Sequence, residues 1–444
     1  MAEQPASLNS AIGRRRASET VFLLLVGTLA STVLLKIASI QWLELIYTVQ
    51  LIVLTVAFCN ARMQVRVFRP LLLLAAGYGL ISVLTILMAV AALRFSFYME
   101  PDQTLLEYPV VITFSRVFEM LIDMGAMLFL ADLFRTRLDT ARFTMRVYYW
   151  VGVLSAIYSV VSYPLDRAGI ISLGTYGDIH RFRGFYNEGG PYGLYVVTLL
   201  GVAWALLRIG WEPRRRTYAI MLLLAGTLLM SQSKAALLAV VFLFLIRSIF
   251  ARSFTQRLIT IICGLAVLAV FSQTFDLASK LRLWKEAGAK YEQISHAHVG
   301  DPNVVQGRVA GLFIVPRMIA AHPLTGVGWG NYGIVRNDPE YRGAAAWGEP
   351  DAPGMGVLGL AAEIGLPVLA LLLLYLFLPY FWLRRLQVPE YVANLALLQP
   401  IAHLFGAQLN LTYPWIVTAF ALGIGFALKN EERSAVHPVE SVSA

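Results

Sequence analysis

The sequence predicts an all-α polytopic membrane protein of about 12 transmembrane helices, with one long loop on the outer face that carries short helices of its own. Three observations carry that class. Apolar stretches of spanning length recur from residue 21 to residue 428, and about 20 such residues cross the hydrocarbon as a helix. Arginine clusters fill every second gap between the stretches and leave the alternate gaps nearly empty. Hydrophobic residues make up 58% of the chain and charged ones 14%, against soluble averages of roughly 45–50% and 25%.

Taken in order, helices are expected at 21–39, 43–59, 71–93, 108–133, 147–162 and 192–207, then at 218–230, 235–249, 258–274, 355–383, 391–411 and 415–428. The basic gaps begin with Arg14, Arg15 and Arg16 and continue with Arg62, Arg66 and Arg69, then Arg135, Arg137, Arg142 and Arg146. They go on through Arg208, Arg214, Arg215 and Arg216, then Arg247, Arg252 and Arg257, then Arg384 and Arg385, and end at Lys429 and Arg433. Short cationic segments resist translocation. Both termini are therefore expected in the cytoplasm and the loop 275–352 outside. The formal charge of +9 is then a record of topology, not of nucleic-acid binding. No small-residue cleavage site follows the first apolar run, so it reads as a retained helix. Cys59 and Cys263 fall inside predicted helices and give no disulfide framework or metal set. The chain reads as a single domain, 1–444, with the loop 275–352 inside it. The halves share no internal repeat, which argues against the common architecture of secondary transporters.

Outward segments are normally poor in arginine. Here Arg181, Arg183, Lys234, Arg308 and Arg317 all fall at or near the outer face. A guanidinium presents a planar fork that matches phosphate oxygens, and charge-assisted bonds contribute roughly 1.5–3 kcal/mol each. Converging cations of this kind suit a lipid pyrophosphate at the bilayer surface; a single one of them is better explained by snorkelling to headgroups. Within the loop, 304–321 reads as a mostly apolar helix closed by His322-Pro323, and a glycine-rich turn runs from Leu324 to Tyr332. In helix 108–133, Arg116, Glu119 and Asp123 share one face. Such charges are expensive in lipid, so that face should look into protein or water and line a cavity, or simply neutralise itself. No phosphate-binding loop, nucleophile elbow or metal-spaced cluster appears. His296 and His298 are weak grounds for a metal.

Several of these segments together resemble the O-antigen ligase and Wzy-type polymerase superfamily. They are Arg181-Phe182-Arg183-Gly184-Phe185-Tyr186-Asn187, Ser231-Gln232-Ser233-Lys234, Gly307-Arg308, and Ala321-His322-Pro323-Leu324-Thr325-Gly326-Val327-Gly328-Trp329-Gly330-Asn331-Tyr332. The resemblance implies a bacterial inner-membrane glycosyltransferase with a GT-C-like helical fold. Such an enzyme moves a glycan from undecaprenyl pyrophosphate to an acceptor hydroxyl at the periplasmic face, needing no cofactor, metal or nucleotide sugar. It implies donor-pyrophosphate binding by Arg181, Arg183, Lys234 and Arg308; the charged helix face and the outer-face cations separately offer Arg116, Glu119 and Arg317 as cavity-lining residues. The expected partners are the lipid-linked oligosaccharide, the acceptor glycan, membrane lipids and a chain-length regulator, with no nucleic acid.

The sequence departs from the family in two places. Glu188-Gly189 follows Asn187 where the family continues Asn-Pro-Asn. Ligases carry a His-Asn pair about nine residues before a Glu-x-Gly element, and ahead of Glu363-Ile364-Gly365 that slot holds Gly354-Met355. Asp351, Glu349 or His322 would have to take the acceptor proton instead. This favours an inverting polymerase of O-antigen or exopolysaccharide chains over ligation to lipid A-core. A lipid-linked oligosaccharide flippase is the competing class, although its cations should follow a central path and these gather at one face.

Overall fold

The computed structural model describes residues 23–28, 36–37, 40–41, 69–92, 108–170, 174–176, 180–249, 253–275, 308–342, 356–406 and 408–436. Residues 23–28 are helical. Two short strands follow, β1 (Lys36–Ile37) and β2 (Ile40–Gln41), then α1 (Arg69–Ala92), α2 (Pro109–Thr136) and α3 (Leu138–Arg167). A second strand pair, β3 (Thr175–Tyr176) and β4 (Arg181–Phe182), precedes α4 (Gly189–Ile209), α5 (Arg214–Met230), α6 (Lys234–Ile249) and α7 (Phe254–Phe275). The segment 308–342 holds α8 (Arg308–Ala321), α9 (Tyr332–Val335) and α10 (Pro339–Arg342). The chain then forms α11 (Val357–Ile364), α12 (Leu366–Arg385), α13 (Glu390–Ala393), α14 (Leu395–Leu404) and α15 (Thr412–Val436).

This is an all-α membrane protein. Among the described residues, four stretches are long and apolar enough to cross a bilayer: Arg69–Ala91, Gly189–Ile209, Leu366–Arg385 and Thr412–Asn430. Helix α1 shows how such a span divides its faces. Leu74, Tyr78 and Ile81 are buried, whereas Leu72, Leu73, Leu80, Val83, Leu87 and Val90 are 47–56% exposed. A wholly apolar outer face is unfavourable in water and suits lipid. Helix α15 is different, buried on nearly every side at the centre of the bundle. It packs most extensively on α2, where Phe134 stacks on Phe420 with ring centroids 5.3 Å apart. Gly423 makes that approach possible: a Cβ there would lie 2.4 Å from Cβ of Phe134.

The structure corrects several expected boundaries. The helix expected at 21–39 does not reach its predicted end, because Lys36–Ile37 pair antiparallel with Ile40–Gln41. The helix expected at 355–383 is two helices, α11 and α12, broken at Gly365. Gly365 has φ +76°, and a Cβ there would meet the carbonyl oxygen of Leu324 at 2.3 Å. The helix expected at 391–411 is divided into α13 and α14, and α14 ends before Gly406 at φ +113°. Hydropathy alone reads through such breaks, since the glycines sit inside apolar runs. The expected helix 43–59 and the loop positions 276–307 and 343–352 lie outside the described residues.

Candidate functional site

Two neighbourhoods collect the residues singled out in the sequence. The first is the hairpin that carries Arg181 and Arg183. β3 and β4 pair antiparallel, with Thr175 opposite Phe182 and Tyr176 opposite Arg181, and the N–H of Arg183 donates to the carbonyl of Gly174 at 3.1 Å. The carboxylate of Asp166, at the end of α3, accepts the Thr175 hydroxyl and pairs with Nδ1 of His180. That clamp holds His180 at φ +51°, immediately ahead of Arg181. Past Arg183, serine hydroxyls of α3 take over. Ser159 accepts the N–H of Gly184 at 2.9 Å and Ser155 that of Phe185 at 3.0 Å. Gly184 adopts φ +54°, and a Cβ would stand 2.3 Å from Oγ of Ser155, so only glycine fits this turn. Tyr186 then buries its ring between Tyr195 and Tyr413, at centroid distances of 5.2 and 6.2 Å.

The hairpin and the Ser231–Lys234 turn meet at the start of α4. A Cβ on Gly189 would lie 2.7 Å from the carbonyl oxygen of Ser231 and 3.5 Å from Cβ of Arg181. Ser233 donates its hydroxyl to the carbonyl of Gly190 at 3.1 Å, and exposed Lys234 opens α6 directly after it. Arg181, Arg183 and Lys234, about 50 residues apart in sequence, are therefore brought to one end of α4. Cations carried on neighbouring segments raise the local positive potential at that end of the helix.

The second neighbourhood is the 308–342 segment with α11. Ala310, Ile314, Val315 and Met318 of α8 bury against Val327, Tyr332, Val335, Tyr341 and Ala362, a small core separate from the main one. The glycine turn docks on the end of α11 through main-chain bonds, Val327 N–H to Ala362 O at 2.9 Å and Gly328 N–H to Glu363 O at 2.8 Å. Leu366 N–H donates to Pro323 O at 2.9 Å. Gly326 and Gly365, both at positive φ, lie back to back: a Cβ on Gly326 would be 2.6 Å from the nitrogen of Gly365. The Glu363 side chain also takes part, accepting the N–H of Tyr332 at 3.2 Å. α11 is too short to span a bilayer, and burial there pushes the Glu363 carboxyl up to about 7, against the lowering pull of the Gly330 and Tyr332 N–H groups and of Arg116.

This segment reaches back to α2. Thr113 donates to the carbonyl of Trp329 at 3.0 Å, and a Cβ on Gly330 would meet Cγ of Arg116 at 3.0 Å. Arg116 pairs with Glu119 at 2.9 Å. The self-neutralising pair and the contact with the glycine turn thus coexist in one side chain. His322 and Arg317 both turn to Tyr341, the imidazole Nε2 to its hydroxyl at 2.7 Å and Nη1 of the arginine to its carbonyl at 3.4 Å. Burial lowers the His322 pKa and raises Tyr341 to about 12. Arg308 opens α8. Asp351 and Glu349 lie outside the described residues. The sequence reading missed Asp166, Thr113 and the role of Glu363. An acidic residue inside an otherwise apolar run, as Glu363 is, was the available signal for the last.

Residues 219–373 match the family model for O-antigen ligase. The match runs from α5 into α12 and takes in Lys234, α8, the glycine turn and Glu363, while Arg116 and the Arg181 hairpin precede it. It supports membership of the O-antigen ligase and polymerase superfamily, whose proteins are glycosyltransferase-like membrane enzymes. No curated protein matches the chain.

Proposed function

We propose that the protein is an inner-membrane glycosyltransferase that extends a lipid-linked polysaccharide at the periplasmic face. The observation that supports this most is the gathering of Arg181, Arg183 and Lys234 at one end of α4, in segments that the charge pattern assigns to the outside. In this reading about 12 helices in a GT-C-like arrangement hold both termini in the cytoplasm, and the donor is a glycan on undecaprenyl pyrophosphate. Arg181, Arg183, Lys234 and Arg308 bind the pyrophosphate and stabilise the charge it gains as leaving group. Arg116, paired with Glu119, and Arg317 line the cavity. The acceptor hydroxyl oxygen bonds to the anomeric carbon as the bond from that carbon to the pyrophosphate oxygen breaks, with inversion. The acceptor proton passes to a base, and the pyrophosphate departs on its lipid. Neither metal nor cofactor enters these steps.

Asp351 is the leading base, then Glu349, with His322 third because Tyr341 already engages its Nε2. The second reading, ligation to lipid A-core, has the matched family description in its favour; against it stands the Gly354-Met355 slot. Reconstituted transfer separates the two by product, since a polymerase yields a ladder of lipid-linked chains and a ligase a single addition. The same assay tests the base: Asp351→Asn should lower turnover by about 10²–10⁴-fold. Wild-type turnover in both Asp351→Asn and Glu349→Gln removes this loop from proton transfer.

A further inference from the structure

Arg336 is used by none of the chemistry above, and its position is unusual. It directly follows α9 and is 1% exposed. Its guanidinium carbon stands 5.7 Å from the ring centroid of Tyr332, one helical turn earlier, to whose carbonyl its own N–H donates at 3.0 Å. Nε and Nη2 are buried and meet no hydrogen-bond acceptor among the described residues. Arg116, Arg135, Arg146 and Arg216, by contrast, each pair with a carboxylate.

The identity of the two unpaired nitrogens matters. Nε–H and Nη2–H form one edge of the guanidinium and point the same way, spaced to meet both oxygens of a carboxylate. A guanidinium keeps its charge at any physiological pH. Burying that edge with no acceptor costs more than stacking on a tyrosine ring returns. Arrangements of this kind survive where function uses them.

We infer that the Nε–Nη2 edge of Arg336 recognises a carboxylate on the glycan substrate, an acidic sugar of the uronic-acid type. This rests on the reading of the protein as a glycan transferase. One guanidinium edge balances one negative charge, which fits a carboxylate; a pyrophosphate needs the several cations gathered around Arg181. The edge is reached by local opening. α9 and α10 are four residues each and bury in the small core of the loop segment, apart from the main one, so opening there leaves the bundle core intact.

The test uses full-length protein in lipid nanodiscs and two probes, a galacturonic-acid tetrasaccharide and the same molecule with its carboxyls reduced to alcohols. Calorimetry should show the acidic probe binding about tenfold or more tighter than the reduced one. Arg336→Met should erase that difference and leave binding of the reduced probe unchanged. Arg336→Lys should keep only a minor part of it, because an ammonium lacks the fork. Without saccharide, Arg336→Met should melt at or above the wild-type temperature, since an unpaired buried charge has gone. A clearly lower melting temperature would show that the arginine already has a structural partner, and would overturn the assignment. Equal binding of the two probes, or an acid preference that survives Arg336→Met, would overturn it as well. Protein that transfers glycan yet ignores the carboxyl loses only Arg336, whereas protein that binds neither probe and transfers nothing loses both.

Discussion

The Arg181 hairpin and the 308–342 segment are built by different means. The hairpin is held by side chains from elsewhere: Asp166, Ser155 and Ser159 of α3 take its polar groups, and the tyrosines of α4 and α15 take its ring. The loop segment is held by main chain on main chain, with Gly326 against Gly365 and a small apolar core of its own. The first arrangement fixes cations against the rigid bundle. The second makes a semi-independent body that touches the bundle through Thr113 and Arg116.

Each half of that contrast can be broken separately. The largest effect is expected at Gly365, where alanine combines a forbidden φ with a 2.3 Å approach to a carbonyl. Gly365→Ala should destabilise the docked segment by roughly 3 kcal/mol or more. Limited proteolysis would then cut within 308–342 while the bundle stays intact, and a wild-type digestion pattern would mean that backbone packing does not hold the loop. Asp166→Ala should cost about 1.5–3 kcal/mol of local stability, since it removes a charged acceptor shared by two donors. Transfer should fall about 10–100-fold, expressed mainly in the KM for lipid-linked donor, with protein levels near normal. An unchanged KM would separate the clamp from Arg181.

A smaller effect concerns pH. The Glu363 carboxyl is raised from 4.5 to about 7 in the folded protein, so the folded state holds its proton where the unfolded chain has lost it. Stability should therefore fall as pH rises from about 4.5 to 7 and level off above. Glu363→Gln should flatten that slope in thermal melts. A slope that persists in the variant would assign the effect to another group.

The two neighbourhoods also differ in how far the sequence announced them. The glycine turn was legible because its constraint is local: alternating glycines after His322-Pro323 have few meanings. Arg181, Arg183 and Lys234 stood out because outward arginines are rare. The clamp beneath them was not legible, since Asp166 precedes Arg181 by a stretch that reads as plain loop. The Arg116 contact was hidden for a related reason, as its partner, Gly330, lies more than 200 residues away. The broken helix at Gly365 was hidden because hydropathy averages over the one residue that turns the chain. Among the described residues, helix existence followed from composition, whereas helix ends and side-chain partners depended on contacts across the bundle.

The decisive measurement is glycan transfer by purified protein from an undecaprenyl-pyrophosphate donor, comparing wild type with Arg181→Ala, Arg181→Lys and Arg308→Ala. If these cations hold the leaving pyrophosphate, wild type builds a product ladder and each alanine variant loses about 2–4 kcal/mol of transition-state stabilisation, roughly two to three decades in rate, with normal expression. Lysine should restore little of it. Full transfer in both alanine variants, or no transfer by wild-type protein from any lipid-linked donor, would contradict the proposed site.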